Sequence, residues 1–163
     1  MIDLLKIGEK AAALVQEHMV VGLGTGRAAA AFVAALHRRV AAGLQIEVVA
    51  SSQATARLAQ KLHLTLLDIN QVQSIDLTVD GADEIDPQKR MIKGGGGALF
   101  REKILISNSA EVVILVGEEK LVSKLHGPLP VEILPYGSNL TKKSLEKLGY
   151  NCQWRQQADE HYF

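Results

Sequence analysis

The sequence predicts an α/β fold: a Rossmann-like, mainly parallel sheet with helices on both faces, followed by the start of a small α+β lobe. Three observations carry this prediction. Short, β-branched runs alternate with helical stretches along residues 1–127, the signature of βαβ units. Polar and glycine-rich clusters at residues 22–26, 51–52, 80–86 and 94–97 fall at strand ends, where such sheets bind ligands. Past Gly127 a proline-rich segment changes the character of the chain. It marks residues 1–127 as one domain and 128–163 as the smaller lobe.

The elements follow in order. Residues 3–17 place Leu4, Leu5, Ala11, Leu14 and Val15 near helical spacing. MVVGLG reads as a short buried strand ending in glycines. The Ala-rich stretch 26–43 is strongly helical, with Gly43 as its stop. IEVVA is a second strand, and residues 51–62 form a helix that Ser51 or Ser52 can cap. LTLLD is a third strand. IDLTVD is a fourth, with Ile75, Leu77 and Val79 alternating against Asp76, Thr78 and Asp80. ALFREKILIS reads as a helix and EVVILVG as a fifth strand. GPLPVEILPYG is an extended crossing segment. A helix at 139–149, capped by Asn139 or Thr141, and a strand at 150–156 begin the small lobe.

Composition bounds the function. The chain has 163 residues, 47% of them apolar, enough for a sizeable core. Eighteen basic residues balance eighteen acidic ones, so charge gives no reason to expect nucleic acid or an anionic membrane as partner. The lone Cys152 fits a reducing compartment and excludes a cysteine-based zinc site. Apolar runs such as VVILV fall far short of the roughly 20 residues a membrane helix needs. The N-terminal segment, with Asp3 and no long apolar core, does not read as a signal peptide. The expected location is cytoplasmic. The five histidines are scattered without metal-ligand spacing and read as surface or loop residues.

Three clusters carry chemistry. VGLGTGRAAAAF is a strand, a glycine turn and a helix start, an anion cradle by its outward amides. Arg27 occupies the place of the third glycine of a dinucleotide fingerprint, and no Walker lysine follows. A phosphate site and a plain tight turn both fit. TVDGADEID holds four acids in seven residues. Ile85 and Met91 stand where a calcium EF loop needs glycine and glutamate. A magnesium site and a solvated acidic turn stay open, while Asp80 at a buried strand end suggests that Asp80 and Asp83 face a cleft. In MIKGGGGALFREKILIS, Gly94 to Gly97 form a nest of backbone amides with Lys93 at its edge. On the helix that follows, Ala98, Leu99, Leu105 and Ile106 lie within about 60° of Glu102. Glu102 is then a carboxylate on an apolar face, where a raised pKa suits a general base. The alternative is a helix-start glutamate favoured by the dipole and paired with Lys103.

Taken together, GLGTG, VDGADEID, IKGGGGALFREKI and PLPVEILP resemble the signatures of the type A ribose-5-phosphate isomerase family, in order and spacing, over nearly the whole chain. The resemblance implies an aldose–ketose isomerase that interconverts D-ribose 5-phosphate and D-ribulose 5-phosphate through an enediolate, in the non-oxidative pentose phosphate pathway. It implies no metal and no organic cofactor, a small sugar phosphate as partner, and a homo-oligomer with a homodimer as candidate. Glu102 would be the proton acceptor. Asp80, Gly81, Ala82 and Asp83 would line the sugar with Lys93, Gly94, Gly95 and Gly96. Thr25 and Gly26 would receive the phosphate, and Lys120 and Lys6 would be further contacts. Two departures stand out. The family's first loop continues with two hydroxyl residues where this chain has Arg27 and Ala28, and the small lobe stops at Phe163 before the family's usual return. The rival expectations are a non-catalytic sugar-phosphate effector domain and an inactive truncated paralogue. Nothing resembling a helix-turn-helix precedes the first glycine loop.

Overall fold

The computed structural model describes residues 4–155. In chain order these form α1 (Leu4–Ala12), β1 (Val20–Leu23), α2 (Arg27–Ala41), β2 (Glu47–Ala50), α3 (Gln53–Lys61), β3 (Ile75–Gly81), β4 (Glu84–Ile85), β5 (Met91–Ile92), α4 (Leu99–Ser107), β6 (Ser109–Leu115) and α5 (Ser138–Lys147). Four parallel strands make one sheet in the order β2-β1-β3-β6. Val21 pairs with Val48 on one side and Leu77 on the other.

Val48 and Val49 point to opposite faces of the sheet. Val48 joins the large buried cluster with Phe32, Leu36 and Leu23 under α1, α2 and α3. Val49 joins a small cluster with Ile75 and Leu105, which brings α4 onto the second face. Helices thus cover both faces, as expected, but unequally. Phe32 and Leu36 are fully buried, worth about 1.5–3 kcal/mol each. The alanines of α2 have a steric reason. A Cβ on Gly8 of α1 would lie 2.6 Å from the Ala31 carbonyl, so small residues let the two helices touch.

Several expected elements differ. The first helix ends at Ala12 rather than residue 17, because Arg39 takes the carbonyls of Ala12 and Val15 and closes the turn. LTLLD is no full strand: only Leu66 bridges Val48, through bonds from Val48 N–H to Thr65 and from Leu67 N–H to Val48. The acidic cluster opens an antiparallel hairpin of β4 and β5 that two-residue strands do not announce. Ser52, not Ser51, caps α3 by accepting from Thr55 N–H. The α5 helix is led by Gly137 in the left-handed region, not capped by Asn139 or Thr141. Residues 150–155 carry no regular structure, since no strand pairs with them among the described residues. His161 and the last expected strand residue, 156, lie outside the described residues. Among the described residues no helix is long and apolar enough to cross a membrane.

Candidate active site

The carboxyl ends of β1, β2 and β3 meet at one place, and the sequence there dictates how closely. β1 runs into Gly24, whose added Cβ would sit 2.1 Å from Asp80 Oδ1. Only glycine permits that approach. It lets Thr25 N–H donate to Asp80 Oδ1 at 3.1 Å. The loop is held from the β2 side as well: Thr25 Oγ1 and Ser51 Oγ lie 2.8 Å apart, and Thr55 Oγ1 donates to the Gly24 carbonyl at 2.9 Å. Gly26, at φ 103°, then starts α2 with no side-chain cap. The free amides of that helix start face a cleft of about 470 Å³.

The second wall comes from β3 onward. Asp80 is 1% exposed. Its Oδ1 also accepts from Gly81 N–H at 2.7 Å, and its Oδ2 accepts from Lys93 Nζ at 2.9 Å. The hairpin carries Lys93 back to this point, and Asp83 N–H donates to Ile92 at 2.8 Å across it. Asp83 Oδ2 accepts from Gly95 N–H at 2.7 Å. Here too a side chain would not fit, since a Cβ on Gly95 would lie 2.3 Å from Asp83 Oδ1.

Glu102 faces inward from the first turn of α4 and is 3% exposed. The helical reading is correct, and its alternative, a pairing with Lys103, is not: Glu102 Oε2 lies 3.2 Å from Lys93 Nζ. Burial pushes the Glu102 carboxyl above its usual range, Asp80 and then Asp83 add to that, and Lys93 opposes it. Lys93 Nζ also donates to the Gly81 carbonyl. The ammonium therefore donates to Asp80 and Gly81 and meets Glu102 only as an ion pair, which leaves the buried Glu102 Oε2 without a hydrogen-bond donor.

Most of the expected site residues come together. Thr25, Gly26, Arg27 and Ala28 line one side of the cleft; Gly81, Ala82, Asp83, Lys93, Gly94, Gly95, Gly96, Glu102 and Lys120 line the other. Lys120 Nζ donates to the Ala82 carbonyl at 2.7 Å. Two expectations change. Asp80 is not among the residues that line the cleft; Thr25 N–H, Gly81 N–H and Lys93 take three of its roughly four acceptor sites. Lys6, exposed on α1, is not among the lining residues. Sequence reasoning passed over Leu4, Leu115, Val116, Gly117 and Glu119. Leu115 ends β6 and residues 116–117 follow it, where the rule for parallel sheets places ligand contacts.

The four acids of the cluster do not converge. Asp80 and Asp83 hold backbone and Lys93, Glu84 pairs with His126 at 2.7 Å, and Asp86 pairs with Arg90 at 2.6 Å. A magnesium cage and a solvated turn both fail to describe them. No group of three or more metal-binding side chains occurs among the described residues.

Residues 47–163 match the family described as ribose 5-phosphate isomerase A (phosphoriboisomerase A). The chain is 50% identical over 153 residues to ribose-5-phosphate isomerase A of Chlamydia trachomatis serovar L2, covering 93% of this chain and 63% of that one. It is 44% identical to the protein of the same name from Protochlamydia amoebophila, over 94% of this chain and 67% of that one. The chain thus spans somewhat less than two thirds of the Chlamydia trachomatis relative. Ribose 5-phosphate isomerase A from Methanocaldococcus jannaschii superposes with a TM-score of 0.91 at 34% identity, over 98% of this chain and 72% of that one. A D-ribose-5-phosphate isomerase in complex with phospho-erythronic acid gives 0.88 at 33% identity, with the same coverage.

Proposed function

The chain belongs to the ribose 5-phosphate isomerase A family, and from that premise we propose that it interconverts D-ribose 5-phosphate and D-ribulose 5-phosphate in the cytoplasm. The carrying observation is the buried Glu102 beside Lys93 at the wall of a cleft that also holds the glycine nest.

The reaction moves one proton between C2 and C1 through an enediolate. Glu102 takes the proton from one carbon and returns it to the other. Its raised pKa makes it a stronger base than an exposed glutamate, while Lys93 works against that rise. The oxyanion that develops on the substrate replaces the long Glu102–Lys93 contact and takes the Lys93 ammonium together with the glycine amides. Asp80 fixes Lys93 and the Thr25 loop at once. Asp83 and Lys120, on the cleft wall, orient hydroxyls and assist ring opening. The phosphate sits at the start of α2, where Arg27 supplies charge in place of the hydroxyl groups usual in the family. Its binding energy holds the sugar for proton transfer.

A phosphorylated four-carbon acid places a carboxylate where the enediolate carries its charge. Phospho-erythronic acid, bound by a relative, is accordingly expected to compete with ribose 5-phosphate here. The deciding measurement follows conversion of ribose 5-phosphate by the wild type and by Glu102→Gln. Turnover by the wild type with loss in the variant supports the isomerase. Binding of the acid without any turnover replaces it with a sugar-phosphate-binding domain.

A further inference from the structure

The glycine nest is pinned from outside the cleft. Arg155 Nη1 donates to the Gly94 carbonyl at 3.4 Å and Nη2 to the Gly95 carbonyl at 2.5 Å. Arg155 is not among the residues that line the cleft. The same side supplies two more contacts. Glu132 Oε2 accepts from Phe100 N–H at 2.7 Å, at the start of an α4 helix that has no side-chain cap of its own. Pro130 packs so near Gly94 that a Cβ there would lie 2.8 Å away. Residues 130–155 thus brace the segment that runs from Lys93 to Glu102.

We propose that Arg155 is a positioning residue for the isomerisation, acting through the Gly94 and Gly95 carbonyls to aim the Gly96 N–H at the developing oxyanion. This rests on the isomerase reading. In a trans peptide the C=O and N–H point in opposite directions. The Gly94 carbonyl shares its plane with Gly95 N–H, and that plane is fixed at both ends, by Arg155 and by Asp83. The Gly95 carbonyl shares its plane with Gly96 N–H. Holding that carbonyl on a guanidinium turns the Gly96 N–H to the opposite side, and Gly96 lines the cleft. A cation on the carbonyl also polarises the peptide and makes its N–H a stronger donor. Glycine, with the widest backbone freedom, would otherwise spread this plane over many orientations.

The test compares Arg155→Ala and Arg155→Lys with the wild-type chain. Both variants should lose about ten- to a hundredfold in kcat, because a small misplacement of a catalytic donor has that size of effect. KM for ribose 5-phosphate should stay within about threefold, since the phosphate site is untouched. Lysine should not rescue, as it lacks the two-pronged fork. Millimolar guanidinium ion should restore part of the Arg155→Ala rate. An unchanged kcat, a loss confined to KM, or full rescue by lysine overturns the proposal. If the wild type itself does not turn over, the isomerase reading fails, and the pinning is judged by amide NMR. A displaced Gly96 amide resonance with faster hydrogen exchange in Arg155→Ala supports it; an unchanged resonance refutes it.

Discussion

Glu102 is under two opposed demands. The proposed base role needs it ionised, yet burial and the nearby Asp80 make ionisation costly, with Lys93 only partly compensating. Glu102→Gln removes the charge and keeps the shape. The variant should lose about 10²- to 10⁴-fold in kcat while its Tm at pH 7 rises. The sign follows from linkage. A carboxyl with a raised folded pKa binds its proton more readily when folded, so ionisation destabilises the fold as pH climbs through and above the model-peptide value of 4.5. The stability gain of Glu102→Gln should therefore be present at neutral pH and vanish in acid; a variant less stable than wild type at pH 7 would contradict it. For the same reason the acid limb of the kcat profile should lie above the ordinary carboxylate range. The burial of Glu102 was legible from helical arithmetic alone, because one residue's angular neighbours decide what it faces. Asp80 was not so legible. Alternation along β3 gives its direction, but only the fold shows the Gly24 loop closing on it. Gly24→Ala tests that closure. Its methyl meets Asp80 Oδ1, so thermal melts should show a destabilised chain and assays a sharp drop in kcat, whereas a silent substitution would mean that the loop is free to move.

At the scale of elements, the β4–β5 hairpin sets the relation between Asp83 and Lys93, and its turn depends on Asp86. Asp86 Oδ1 accepts from Gln88 N–H and Arg90 N–H, both at 3.0 Å, and Oδ2 accepts from Arg90 Nε at 2.7 Å. Burial works against the Asp86 charge, but the Arg90 side chain and these amides hold its carboxyl below the usual range. Asp86→Ala should lower stability more than Arg90→Ala, because it removes the acceptor of two backbone amides as well as the ion pair. Arg90→Ala should cost under about 1 kcal/mol, since the guanidinium is largely exposed. Denaturant melts of the two variants give the comparison directly; equal losses would show that the ion pair, not the amides, holds the turn. A lowered pKa means the Asp86 contribution is present above 3.8 and fades as pH falls through the lowered value. The gap between the two variants should narrow in strong acid. This hairpin was hidden in the sequence because two-residue strands have no measurable period. The long helices were legible by their period, and the buried parallel strands by short continuous apolar runs, since both their faces are covered. LTLLD misled for the converse reason: an apolar run packs beside β2 through Leu66 without extending its ladder.

Across the whole molecule, the cleft joins residues 25–28 to residues 81–120, which only the sheet order β2-β1-β3-β6 brings together. A ligand that bridges both walls must therefore stabilise the entire domain. Phospho-erythronic acid at a hundred times its Kd should add about 2.7 kcal/mol, a Tm rise of roughly 5–10 °C for a chain of this size. The two ends of the ligand can be separated. Arg27→Ala should shrink the rise for the acid and for inorganic phosphate alike, most clearly at low salt, where an exposed charge acts at longest range. Lys93→Ala should shrink the rise for the acid but spare that for phosphate, because the proposed function sets Lys93 at the carboxylate end. If Arg27→Ala spared phosphate and Lys93→Ala abolished it, the ligand would lie reversed in the cleft. Glu102 would then face the phosphate rather than C1 and C2, and proton transfer by this carboxylate would be geometrically excluded.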